Sequence, residues 1–202
     1  MMQAVPMLDD VTAVVLAGGR SSRFGSDKLS FEIDGRTMLE HAVAAAAAVT
    51  SRVLLVVAPG GELPASLTST GVEVVHDRMA FEGPLAALGA ALAAIDTPVA
   101  LVVAGDMPRM VPAVLQRLAS TVGTDRPAVN LEVPRRVQPL PMAISVEAAR
   151  PVVAALLKRG ERSLRSLLAE MGAASIPAPV WLSLDPAGRT ILDVNRLADA
   201  RS

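Results

Sequence analysis

Residues 16–28 read LAGGRSSRFGSDK and follow directly on the apolar run VTAVV at 11–15. Gly18, Gly19 and Gly25 present no side chain to an approaching ligand, and they permit backbone conformations in which successive N–H groups converge on an anion. Arg20, Arg23 and Lys28 add positive charge to the same stretch. The loop suits a phosphate, yet it fits neither standard phosphate motif. Lys28 is not in a G-x-x-x-x-G-K-[ST] frame, and there is no G-x-G-x-x-G. An exposed glycine-rich turn with solvated basic residues has the same composition, so spacing alone leaves both readings open.

A carboxylate supplies the complementary chemistry. Asp106, in VALVVAGDMPRM at 99–110, lies just beyond the most hydrophobic run of the chain and beside Gly105. A lone carboxylate there can hold Mg²⁺ together with substrate phosphates. An Asp that complements the macrodipole at a helix N-terminus would look the same. If Lys28 and Asp106 occupy neighbouring strand ends, a cation and a metal site flank a triphosphate. Both histidines are read as structural or surface residues: His41 falls inside an expected helix, and His76, next to Asp77 at a loop, has contact with a ligand as its alternative. Arg135, Arg136 and Gln138 are candidates for an anionic acceptor, with a solvated hairpin tip as the alternative; Trp181 is assigned to the core.

These residues need a scaffold, and the apolar pattern supplies one. Runs at 11–17, 52–58, 72–75, 99–104 and 190–194 are continuous rather than alternating, as expected of strands covered on both faces of a parallel sheet. Between them, 36–50, 83–96 and 112–121 are Ala- and Leu-rich and of helix length. The order predicts an α/β sheet. Ligands of such sheets bind beyond the carboxyl ends of the strands, where both the 16–28 loop and Asp106 fall. The stretch 125–144, broken by four prolines, predicts edge strands and a hairpin. Residues 145–173 predict two helices separated by Gly160, the first capped by Ser145, so mixed topology is expected at this end.

Composition narrows the function classes. The 202 residues are half hydrophobic without a break in composition, which predicts one domain with a sizeable core. Lys plus Arg is 19 against 20 for Asp plus Glu, so no global field draws the chain to nucleic acid or an anionic membrane. The absence of cysteine excludes disulfides and thiol nucleophiles. No signal-like segment and no run of spanning length is present, so a soluble cytoplasmic protein is expected.

The motifs resemble those of the MobA-type nucleotidyltransferases. LAGGRSSRFGSDK is similar to that family's LAGG-x-S-x-R-M-G-x-D-K, with Phe24 in place of Met. HDRMAFEGPLAAL (76–88), VAGDMP (103–108) and RGERSLRSLL (159–168) follow in the family's order, and the last resembles the guanylyltransferase branch. The resemblance implies a three-layer α/β/α, Rossmann-like, mostly parallel sheet of the nucleotide-diphospho-sugar-transferase type. It implies a single nucleotidyltransferase domain over 1–202, with a nucleotide-binding half at about 11–121 and an acceptor-binding half at about 122–202. The implied reaction moves GMP from Mg-GTP to the phosphate of a molybdopterin-type cofactor and releases pyrophosphate, with transient contact to cofactor-synthesis or acceptor proteins. A relative that uses CTP or another acceptor, and a non-catalytic nucleotide-binding protein, are the alternatives. Carried across, Leu16, Ala17, Gly18 and Gly19 cradle base and phosphates, Arg23 and Lys28 meet the triphosphate, Asp77 contacts the nucleoside and Asp106 ligates Mg²⁺. Near the C-terminus, DVNRLAD (193–199) matches the family's V-N-T-P-E-D-L at Asn195, with Arg196 and Leu197 in place of Thr-Pro. Asp193 is a second metal contact or a solvated strand-end carboxylate.

Overall fold

The run at 11–16 is buried at every position, and alternate residues feed two different cores. The structure is a computed structural model that describes residues 7–17, 28–61, 64–68, 70–77, 83–134 and 138–193. Its strands are β1 Val11–Leu16, β2 Glu32–Ile33, β3 Arg36–Thr37, β4 Arg52–Val57, β5 Glu73–His76, β6 Val99–Ala104, β7 Ala128–Leu131, β8 Met142–Ser145 and β9 Ala174–Ile176. The α-helices are α1 Met38–Ala47, α2 Pro84–Ala94, α3 Pro112–Ala119, α4 Val146–Lys158, α5 Leu164–Glu170 and α6 Ala178–Leu182. One seven-stranded sheet has the order β5-β4-β1-β6-β8-β7-β9. Val11, Ala13 and Val15 pack with α1 and α3 on one face, while Val14 and Leu16 pack with α2, α4 and α5 on the other. The result is the expected three-layer sandwich. Burial on both faces, at about 1.5–3 kcal/mol per large aliphatic side chain, is why the central strands carry no polar alternation.

The distal half is mixed, as expected, but differs in detail. β7 and β8 were expected at an edge because of the surrounding prolines; instead β8 lies between β6 and β7 and is antiparallel to both. Pro127, Pro134, Pro139 and Pro141 fall outside the two strands, so no ladder donor is lost. The edge belongs to β9, parallel to β7. Residues 190–194 are not a strand as far as they are described. Arg189–Ile191 form a 3₁₀ turn after Gly188 at φ 62°, drawn inward by side-chain hydrogen bonds to Asp185 and Val111. At the opposite edge, β5 is covered only in part, with Glu73 and His76 exposed, rather than buried on both faces.

One helix cap matches the sequence expectation, and a second was not anticipated. Ser145 caps α4 by accepting from the Ala148 N–H, and Gly160 follows its end at φ 83°. Thr37 and Glu40 form a reciprocal capping box at the start of α1. The Ser66 hydroxyl, then the Thr37 backbone and hydroxyl, hold the Glu40 carboxyl below the usual carboxylate range. The β2–β3 hairpin was missed, although Asp34-Gly35 at φ 51° and 79° is a recognisable hairpin turn.

Candidate active site

Strand direction gathers the chemistry on one edge. β1, β4, β5 and β6 run parallel, and since β8 is antiparallel to β6 and β7, the carboxyl ends of β7 and β9 reach the same edge. β1 is the point where the chain order reverses, with β4 on one side and β6 on the other. Such a switch point leaves a crevice at the carboxyl ends for a ligand. The loop that begins at Ala17 leaves from there.

Ladder hydrogen bonds align the strand ends. The Ala17 N–H donates to the Val56 carbonyl at 2.9 Å, the Gly105 N–H to the Leu16 carbonyl at 3.0 Å, and the Asp77 N–H to the Val57 carbonyl at 2.9 Å. Extending the pairings Leu16↔Ala104, Leu16↔Val56 and Val57↔His76 puts His76, Val57, Ala17 and Gly105 in one row. Asp77 and Asp106 each stand one residue beyond it. Three strand spacings separate them, or roughly 14 Å. That is too far for both to ligate one ion but leaves room for an extended ligand between them.

The Asp106 loop is held without help from a helix dipole. α3 starts only at Pro112, with no acidic residue in its first turn, so the macrodipole reading of Asp106 fails. Buried Met107 and Met110 anchor the loop, and Asp106 just before them stays half-buried. A Cβ on Gly105 would lie 3.2 Å from Leu39 Cδ1 and 3.4 Å from Leu29 Cδ2. The small residue therefore lets the turn that begins at Lys28 seat against the Asp106 loop. Lys28 opens that 3₁₀ turn, Lys28–Ser30, directly before the β2–β3 hairpin. Among the described residues no group of three or more His, Cys, Asp or Glu could cage a metal. Mg²⁺ fits such a site nonetheless, since it commonly binds through one or two carboxylates with water and substrate phosphates completing its shell.

Two further motif segments meet in space. Gly83, before α2, has φ 91° and ψ 171°, and an added Cβ would sit 3.0 Å from Arg162 Cβ and 3.1 Å from the Arg162 carbonyl oxygen. The Leu85 N–H donates to that carbonyl at 3.3 Å. The GPLA and GERSLR segments thus dock backbone to backbone, a contact that explains why one needs glycine. Gly83→Ala combines a conformation almost confined to glycine with a backbone clash. It should cost about 2 kcal/mol and lower Tm by about 4–8 °C in calorimetry; an unchanged Tm would refute the constraint.

Other sequence candidates resolve into structural roles. His41 Nε2 lies 2.8 Å from the Ile33 carbonyl and clamps the hairpin to α1. Trp181 is buried and donates from Nε1 to the Glu132 carbonyl at 2.9 Å. Gln138, a candidate for the anionic acceptor or a solvated hairpin tip, donates instead from Nε2 to the Ile191 carbonyl at 3.0 Å. His76 is exposed at the end of β5. Asp193 is exposed beyond the 3₁₀ turn. Gly18, Gly19, Arg20, Arg23, Gly25, Arg135, Arg136 and Asn195 lie outside the described residues, as does the Lys28 side chain.

A cleft of about 650 Å³ opens between α2, α4 and the end of β5, with Asp77 on its rim. Its wall is mostly apolar, with Ala86, Gly89, Ala90 and Ala93 from α2 facing Val153 and Leu157 from α4, and its Arg150 already donates to the Leu92 and Ile95 carbonyls. It offers little to a phosphate; the strand-end loops offer more.

Similarity to known proteins agrees with this geometry. A protein of Chloroflexus aggregans named a probable molybdenum cofactor guanylyltransferase is 32% identical over 95% of this chain and 92% of its own length. One of the same name from Pyrococcus horikoshii is 31% identical over 86% of each chain. The solved structure of molybdopterin-guanine dinucleotide biosynthesis protein A from Archaeoglobus fulgidus superposes with a TM-score of 0.77 at 21% identity, covering 94% of this chain and 95% of that one, and so shares its fold. The model of the MobA-like NTP transferase domain matches residues 13–175, which span β1 to β9, and the chain belongs to that family.

Proposed function

We propose that this chain transfers GMP from Mg-GTP to the phosphate of a molybdopterin-type cofactor and releases pyrophosphate. The observation that carries the reading is that Ala17, Asp77 and Gly105, where the chain leaves β1, β5 and β6, lie on one sheet edge. The names of the full-length relatives supply the nucleotide and acceptor. An acceptor phosphate oxygen attacks the α-phosphorus in line, one P–O bond forms, and the bond to the bridging oxygen of pyrophosphate breaks. The attacking oxygen is already anionic, so no general base is required and positioning with charge neutralisation suffices. His41 is then free for its structural contact.

In this reading Leu16, Ala17, Gly18 and Gly19 bring backbone against base and phosphates. Arg23 and Lys28 meet the triphosphate, and Asp77 contacts the nucleoside. Asp106 would hold Mg²⁺, with Asp193 as a second contact. When bound, the ion would neutralise charge on the phosphates. Asn195 serves the acceptor end. The nucleotide half is about 11–121 and the acceptor half about 122–202, both in one domain over 1–202. A reaction that consumes GTP fits the cytoplasm, and the described residues contain no helix long and apolar enough to cross a membrane.

The direct test is incubation of purified protein with GTP, Mg²⁺ and molybdopterin, following pyrophosphate and the guanine dinucleotide product. Base choice is a separate prediction. Guanine offers N1–H and an amino group as adjacent donors, and Gly18 leaves space for a purine. kcat/KM with GTP should exceed that with CTP by at least about 10-fold, as for a contact difference near 1.4 kcal/mol. Gly18→Ala should narrow the gap by impairing GTP more. Equal or better use of CTP would move the chain to a cytidylyltransferase role. Binding without any turnover would leave a nucleotide-binding protein.

A further inference from the structure

The final described segment ties together two loops of the functional edge. Val111, the N-cap residue of α3, has no polar side chain. Its N–H donates to Thr190 Oγ1 at 3.1 Å, from 79 residues away. Thr190 is fully buried, and its own N–H donates to Asp185 Oδ2 at 2.7 Å. Asp185 is buried as well; its Oδ1 has no hydrogen-bond partner among the described residues and faces Arg189 Nε at 4.0 Å. One residue further on, the Ile191 carbonyl accepts from Gln138 Nε2. Gln138 is held in turn, because its carbonyl accepts from Asn130 Nδ2 at 3.3 Å and Asn130 Oδ1 accepts from Ser175 Oγ at 2.8 Å.

A buried carboxylate with one oxygen left without a hydrogen bond is an expensive means of stabilising a turn, and apolar packing would do so at lower cost. What the carboxylate provides is direction: it fixes the Thr190 backbone, and so the aim of Oγ1 at Val111. Val111 ends the loop that begins at Gly105, while Ile191 lies two residues before Asp193 and is tied to the β7–β8 connection. We propose that Asp185 and Thr190 are positioning residues, a latch that fixes the Asp106 loop relative to the segment leading into Asp193 and Asn195. Their effect on turnover rests on the nucleotidyl-transfer reading; their effect on the loop does not.

Thr190→Val keeps nearly the same shape and deletes the accepting oxygen, whereas Thr190→Ser retains it. In hydrogen exchange, Thr190→Val should speed exchange of the Met107, Arg109, Met110 and Val111 amides about tenfold, the scale of leaving a buried donor unpaired, without change in β1 or β4. The Mg²⁺ concentration that half-saturates GTP binding should rise several-fold, and kcat/KM should fall about tenfold. Thr190→Ser should stay within about twofold in all three. Should Thr190→Val not fold, Thr190→Ala is expected to give the same local rise. Unchanged exchange at 107–111, or an equal rise across the whole sheet, would overturn the latch. If the wild type neither binds nor turns over GTP, the transfer reading fails, and the exchange result alone decides whether the latch fixes the loop.

Discussion

Asp106→Asn should reduce GMP transfer by about 10²–10³ at low Mg²⁺, the scale of removing one electrostatic group from a transferring site, with partial recovery as Mg²⁺ is raised. The substitution keeps the shape and one accepting oxygen, so loss of the charge is the largest change. The loop should not move: the Gly105 N–H is held by the Leu16 carbonyl at 3.0 Å, the Met107 N–H by the Ala104 carbonyl at 3.3 Å, and Met107 and Met110 are buried. Weakened ion affinity is what added Mg²⁺ can offset, whereas a misplaced loop would not respond to it. Steady-state rates across a Mg²⁺ series, with the wild type also assayed in EDTA, decide the matter. EDTA-insensitive wild-type turnover would end the metal-assisted scheme, and a fully active variant would remove Asp106 from it.

The parts of this fold that were legible in the sequence are those in which one physical demand acts alone. β1, β4 and β6 must be apolar on both faces because each face meets helices, and their runs match the strands to within a residue. Where two demands compete, the pattern misleads. Residues 190–194 carry β-type residues, but Asp185 and Val111 claim the N–H and the hydroxyl oxygen of Thr190 and close a turn. The prolines of 125–144 punctuate rather than edge the sheet, since all four fall between strands.

The site divides in the same way. Asp106 could be placed because a residue that follows a parallel strand must emerge at the ligand-binding edge, whereas Asp77 came only from the family resemblance; the pairing puts both one step beyond a common row. No spacing rule foretells that Gly83 needs its missing Cβ for Arg162, or that Gln138 turns to the Ile191 carbonyl instead of a ligand. Such contacts join residues far apart in sequence, and only the packed structure brings them together. They also explain why Gly83 and Thr190, neither of them chemically reactive, carry predictions alongside Asp106.

Lys28→Ala should lower turnover by about 10² or more, with a smaller rise in KM for GTP. As the α-phosphorus to bridging-oxygen bond breaks, negative charge gathers on the departing pyrophosphate. A fixed ammonium there is worth more in the transition state than in the bound ground state, so kcat suffers most. The backbone of Lys28 opens the turn whose next residue, Leu29, lies against Gly105, immediately before Asp106. Loss of one lysine from this loop should shift stability by no more than about 0.5 kcal/mol, so thermal unfolding separates a lost charge from a lost fold. Lys28→Arg should restore part of the rate, since it retains charge while changing reach and geometry. Single-turnover rates with saturating GTP give the decisive reading, because they isolate the chemical step from product release. An alanine variant within about twofold of wild type in that assay would take Lys28 out of the mechanism and leave Arg23 as the cation that meets the leaving group.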